Sequence, residues 1–225
     1  MEVLYEDNHL IIVNKISGEI VQYDKTGDIP LETTVRDYIK HKHNKPGDVF
    51  LGVVHRIDRP VSGVVLFAKT SKALARMNEA VQQREIRKIY WAIVKDQPEK
   101  NEAILEHYLL RNTAKNKSFC YSGEVKDSKK AILHYKIIGT SENYSLLEID
   151  LKTGRHHQIR AQLSSIGCPI KGDLKYGAAR SNPDGSISLH ARSLTFLHPV
   201  KKEEITVTAP VPDDKLWHYF YETLL

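Results

Sequence analysis

Short apolar runs dominate the first third of the chain. Leu10-Ile11-Ile12-Val13 and Gly63-Val64-Val65-Leu66-Phe67-Ala68 are rich in β-branched residues and end at polar, glycine or proline positions, which predicts strands. Between them, residues 33–40 read as a short helix with a threonine as its N-cap. Ser71 to Arg84 opens after Thr70 and carries Leu74, Met77 and Val81 at spacings of three and four, one apolar helical stripe. Further strands are predicted over 88–94, 104–110 and 131–138. Another covers 144–151, where apolar and polar positions alternate. Thr153-Gly154 turns into a helix predicted from Arg155 to Ile166, with Ile159, Leu163 and Ile166 inward, Gly167 closing it and Pro169 preventing continuation. A late strand covers 205–208, and Asp213 caps a last helix bearing Leu216, Trp217, Phe220 and Leu224.

Several successive strands have connections too short for a helical crossover, so much of the pairing is expected to be antiparallel. The predicted class is α+β, with a central mixed, largely antiparallel sheet flanked by helices and loops. All 225 residues are expected to form a single catalytic domain without repeat, linker or low-complexity tract.

Composition removes several classes. A hydrophobic share of 41% and a charged share of 27% exclude wholesale disorder. No apolar run approaches the roughly 20 residues that span a bilayer, and the amino terminus lacks the pattern of a signal peptide. Cys120 and Cys168 are too few for a disulfide framework and form no Cys-x-x-Cys pair, so a cytoplasmic protein is expected. The net charge of +5 permits an anionic partner. Arg111 to Lys130 sharpens this: six basic residues stand against Glu124 and Asp127, with Phe119 and Tyr121 among them. Such a segment is either a basic loop that grips a phosphate backbone and stacks a base, or a solvated hairpin.

Reactive residues concentrate in three places. His55-Arg56-Ile57-Asp58-Arg59 lies between two strand-like runs. Flanking arginines favour an ionised Asp58, which could serve as nucleophile or base; the alternative is an arginine-stabilised turn. In Thr153-Gly154-Arg155-His156-His157-Gln158-Ile159-Arg160, helical spacing puts His156 and Arg160 on one face, where Arg160 could meet a carboxylate. Adjacent histidines on a helix point about 100° apart, and no Cys/Asp/Glu cluster completes a site, so no metal is expected. Tyr90 is either core or a platform for a planar ligand. No Walker loop, dinucleotide fingerprint or serine elbow occurs.

With His55-Arg56-Ile57-Asp58, Ser62-Gly63 and Phe67-Ala68-Lys69-Thr70, the sequence closely resembles the RluA-like family of RNA pseudouridine synthases. Leu4-Tyr5-Glu6-Asp7-Asn8-His9-Leu10, Val13-Asn14-Lys15 and Gly18 resemble the family's first motif, and Lys88-Ile89-Tyr90-Trp91-Ala92 its tyrosine strand. Thr153-Gly154-Arg155, His157-Gln158-Ile159-Arg160, Gly167, Pro169, Gly172-Asp173 and Tyr176-Gly177 resemble the third motif, and Leu189-His190-Ala191 with His198-Pro199 the ending. Val61 stands where threonine is usual, Ile16 where proline often follows the lysine, and His156 where a small polar residue is common. The chain opens at the first motif, so recognition of the substrate is expected from the catalytic domain itself.

The resemblance implies a pseudouridine synthase that isomerises specific uridines in ribosomal or transfer RNA. Asp58 would act on the sugar, as nucleophile at the anomeric carbon or by deprotonating the 2′ position. Arg160 would pair with it, and Tyr90 would stack on the uracil and assist proton removal from carbon 5. Arg56 would fill the space left by the flipped base. Arg155, His157, Lys115, Lys117, Lys129 and Lys130 are the other expected RNA contacts. Reactant and product are isomers, so no cofactor or metal is expected, and the partner is structured RNA bound by a monomer. A glycosidase would want a second carboxylate, for which Asp173, otherwise the cap of a turn, is the candidate.

Overall fold

The computed structural model describes residues 1–224; Leu225, the last residue of the expected domain, lies outside them. In chain order come β1 (Glu2–Glu6), β2 (Leu10–Lys15), α1 (Leu31–Lys42), β3 (Gly52–Val53), β4 (Ser62–Ala68) and α2 (Ser71–Gln83). Then follow β5 (Arg87–Val94), β6 (Glu102–Asn112), β7 (Lys117–Tyr121), β8 (Lys129–Thr140), β9 (Ser145–Leu151) and α3 (Gln158–Ser165). A 3-10 turn (Leu174–Tyr176), β10 (Leu189–Leu197), β11 (Glu204–Thr208) and α4 (Lys215–Leu224) complete the order. The chain divides into two compact units, one of Met1–Ile86 with Ala191–Pro210, the other of Arg87–His190 with the carboxy-terminal segment from Val211.

In the first unit the strand order is β1-β2-β4-β10, with β3 also on β4 and β11 on β10. β2 runs antiparallel to β4 (Ile12 opposite Leu66), and β10 antiparallel to β11 (Leu194 opposite Val207). Leu10 to Val13 are fully buried, which is why β2 reads as a continuous apolar run: a strand covered on both faces has no polar alternation. Helix α2 buries Ala73 and Met77 against Leu66, Ala68 and Phe196. Its start is the predicted one, because the Thr70 hydroxyl accepts from Ala73 N at 3.1 Å.

The second unit orders its strands β5-β9-β8-β6-β7, each pair antiparallel. Trp217 and Phe220 of α4 pack with Trp91, Ile93 and Leu146. The class is α+β, as the connection lengths predict.

Three local expectations are corrected. Helix α1 starts at Leu31 rather than at a threonine cap: Pro30 precedes it, and Leu31 N and Glu32 N donate to Ile20 O and Val21 O at 2.8 and 3.2 Å. A neighbouring segment thus does the work of the cap. Helix α3 starts at Gln158, three residues late, because His157 adopts a left-handed conformation (φ 52°) that breaks helical continuity. In α4 the carboxylate of Asp214, not Asp213, accepts from Leu216 N (2.9 Å) and Trp217 N (3.3 Å). The segment 111–130 contains the hairpin that one of its two readings expects: β7 pairs with β6 from Tyr108 opposite Tyr121 to Asn112 opposite Lys117, and Lys129 and Lys130 open β8.

Candidate active site

In the first unit the segment His55–Val61 links β3 to β4, and buried Lys15 organises it. Lys15 ends β2, is 0% exposed, and its Nζ donates to Ile16 O (2.9 Å), Arg59 O (3.1 Å) and Val61 O (2.8 Å). An ammonium has three N–H bonds, and here three carbonyls take them. Burial pushes Lys15 down to about 8, opposed by the charges of Glu19 and Asp58. Val61 N donates to Asp58 O (3.0 Å) and Gly18 N to Arg59 O (2.9 Å), closing the turn around half-buried Asp58. Gly63 follows at φ +115°, and a Cβ there would stand 2.2 Å from Ala191 O. Only glycine permits that approach.

The flanking arginines have partners in the segment 16–28. Arg59 is paired with Asp28 and its Nε donates to Gly18 O at 3.0 Å, while the exposed Arg56 donates from Nη1 to Gln22 Oε1 at 3.2 Å. The sequence placed Lys15 only in a motif. Its role beneath the loop depends on which carbonyls the tertiary fold collects there.

In the second unit Tyr90 lies on β5 opposite Ile149 and is 8% exposed. The turn before α3 is held by the Gln158 side chain, whose Oε1 accepts from Thr153 Oγ1 (2.8 Å) and Arg155 N (3.0 Å) and whose Nε2 donates to Ile132 O (3.1 Å). Arg160 is 5% exposed and Asp173 1%. Arg160 Nε meets Asp173 Oδ2 at 2.6 Å and Nη2 meets Oδ1 at 2.8 Å, a bidentate fork. The Asp173 carboxylate therefore holds an arginine and makes no cap to the 3-10 turn, contrary to the capped turn expected for it.

Arg160 also lies over the Tyr176 ring, 5.0 Å from its centroid, and Lys117 Nζ lies 4.9 Å from the same centroid. The Tyr176 hydroxyl accepts from Ser118 N at 2.8 Å and stands 3.0 Å from His157 Nδ1. His156 and His157 precede the helix, and their rings stack at 3.8 Å; a divergence of 100° does not describe them, because helical geometry starts only at Gln158. Burial, then the cation of Arg160 and the neighbouring His156, push His157 down to about 2, so it is a neutral imidazole. Among the described residues no group of three or more His, Cys, Asp or Glu side chains could hold a metal ion.

The expected basic residues divide. Lys117 joins His157 and Arg160 around Tyr176, and Arg155 Nε donates to Lys130 O at 3.0 Å. Lys130 Nζ pairs with Glu106 at 2.5 Å across β6 and β8. Lys115 and Lys129 are exposed. The tip of the β6–β7 hairpin is tied down: Asn116 O accepts from Lys175 Nζ (3.1 Å), and Ser118 Oγ donates to His156 O (2.7 Å).

The profile of the RNA pseudouridylate synthase family matches residues 9–165. An uncharacterized RNA pseudouridine synthase of Synechocystis sp. is 33% identical over 218 residues, covering 94% of this chain and 66% of its own length. The tRNA pseudouridine synthase C of Haemophilus influenzae is 33% identical over 240 residues, covering 96% and 95%. The human RNA pseudouridylate synthase domain containing 4 superposes with a TM-score of 0.82 at 22% identity, covering 99% of this chain and 92% of that one, which shows the shared fold. The chain belongs to the RNA pseudouridine synthase family, whose members isomerise uridine to pseudouridine, as the resemblance in the sequence implies. Among the described residues no helix is long and apolar enough to cross a membrane.

Proposed function

We propose that this protein converts specific uridines of ribosomal or transfer RNA to pseudouridine, in the cytoplasm and as a monomer. The observation that carries the reading is the family match over residues 9–165, which takes in Asp58, Tyr90 and Arg160 together. Uracil must leave the sugar, turn and reattach through carbon 5. Asp58 acts on the sugar, at the anomeric carbon or at the 2′ position, from a loop whose carbonyls are gathered by Lys15. Arg160 balances the Asp58 charge, and Tyr90 stacks on the uracil and assists removal of the carbon 5 proton. Arg56, the exposed arginine two residues before Asp58, fills the gap left by the flipped nucleotide. Arg155, His157, Lys115, Lys117, Lys129 and Lys130 contact the RNA. Their position on or beside the β6–β7 hairpin supports a shared surface for a phosphate backbone.

The test has two parts. Pseudouridine mapping on total RNA from cells with and without the protein is expected to lose one or a few sites, which names the RNA. Purified Asp58→Asn is expected to lose turnover on that RNA while binding it within about threefold of wild type, since phosphate contacts supply most of the affinity. Retained turnover would overturn the role of Asp58, and binding without turnover in the unmodified protein would make it a silent RNA binder.

A further inference from the structure

We propose that Asp173 is a positioning residue for the reaction, fixing the Arg160 guanidinium from the side opposite its working edge. The inference rests on the reading of Arg160 as part of the catalytic set and goes beyond it by assigning a role to a second carboxylate. Three observations support it. The pair is almost wholly buried, at 5% and 1% exposure, so solvent cannot replace either partner. The contact is a fork on Nε and Nη2, which fixes the plane of the guanidinium as well as its place and leaves Nη1 on the far edge. The Tyr176 face, 5.0 Å from the guanidinium carbon, bounds the group on another side.

Asp173 can serve as an anchor because its own backbone is locked. Asp173 N donates to Ile170 O (3.0 Å), and its carbonyl accepts from Tyr176 N and Ala178 N (3.0 Å each). Gly172 before it is at φ +89°, and a Cβ there would lie 2.7 Å from Ser186 O and 2.8 Å from the Asn182 side chain. The arginine sits on a helix and the aspartate in a rigid turn, so the fork ties the helix side chain to a fixed point. A buried ion pair adds little stability over an apolar pair of the same volume. Its use here is geometric: it holds a planar donor where charge is handled.

The test is a double-mutant cycle on turnover. Unmodified ribosomal and transfer RNA transcripts tritiated at carbon 5 of uracil serve as the probe, and tritium release is read at saturating enzyme. Asp173→Asn in the otherwise unchanged protein is expected to slow release by about 10–100-fold, the scale of a misplacement near 1 Å, with RNA affinity within about twofold. In an Arg160→Lys background, which has no fork to lose, Asp173→Asn is expected to slow release by less than about threefold. Equal losses in both backgrounds, or a loss confined to RNA affinity, would overturn the proposal and return Asp173 to a structural role. If Asp173→Asn does not fold, Asp173→Glu keeps the charge but moves the carboxylate by one methylene, and the same non-additivity is required of it. Undiminished turnover in Arg160→Lys alone would instead overturn the role of Arg160.

Discussion

Replacing Lys15 by methionine removes the ammonium beneath the Asp58 loop while keeping most of the side-chain volume. The lysine makes three hydrogen bonds to carbonyls, one of which, at Arg59, also accepts from Gly18 N. Charge-assisted bonds are worth about 1.5–3 kcal/mol each, so the gross loss is roughly 5–9 kcal/mol. Against this stands the penalty of keeping the charge buried. Lys15 titrates near 8 in the folded protein against an ordinary 10.5, a gap of about 2.5 pH units or about 3.4 kcal/mol. The net destabilisation of Lys15→Met at pH 7 is then about 2–6 kcal/mol, a melting point lower by roughly 4–24 °C for a chain of this size.

The pH dependence has a definite sign. Between about 8 and 10.5 the unfolded lysine still holds its proton and the folded one has lost it, so the unfolded state binds more protons and stability rises with pH. The methionine variant lacks that rise. Urea denaturation of both proteins from pH 7 to 10.5 should therefore show a gap that widens by about 3 kcal/mol as pH rises through this window. A gap that stays constant would refute the depressed titration of Lys15. A gap below about 1 kcal/mol at pH 7 would show that the three carbonyls are not what holds the loop.

Gly63→Ala places a methyl group 2.2 Å from the backbone oxygen of Ala191 at a positive φ; a loss of about 3 kcal/mol or more is expected in chemical denaturation, and a loss under about 1 kcal/mol would contradict the close approach. Arg84 ends α2 at φ 62°, where glycine carries no Cβ penalty, so Arg84→Gly should raise stability by up to about 1 kcal/mol in a thermal melt. Replacing Lys115, Lys117, Lys129 and Lys130 by glutamine should weaken RNA binding and flatten its dependence on salt. Lys130 should contribute least because Glu106 already holds it, and an unchanged slope would mean that the hairpin does not touch phosphate.

Most strands, though not β1, β7 or β10, and the stripe of α2 were legible because burial writes itself into composition. Leu10 to Val13 of β2 and Val64 to Ala68 of β4 are apolar runs because both faces are covered, and α2 keeps its stripe and its Thr70 cap. What failed was local conformation decided from elsewhere. His157 takes a left-handed conformation in a turn held by the Gln158 side chain, and the start of α1 is satisfied by carbonyls at 20 and 21. Neither feature has a periodicity to betray it. The basic segment was visible as charge and a hairpin as one of its two readings, but the register of β7 on β6 and its tie to Tyr176 were not.

By itself the sequence determined the α+β class and the family through an ordered set of motifs, and it singled out the residues proposed for the chemistry. Those are properties of residue type and order, which need no partner to be read. The tertiary structure alone decided who holds whom: Lys15 under the Asp58 loop, Asp28 and Gln22 on the arginines, and Asp173 on Arg160. Hydrogen bonds and ion pairs between distant residues depend on distances of a few ångströms. Only the folded chain fixes those distances, and for Lys15 and the Arg160–Asp173 pair it does so by burying the groups where water cannot compete.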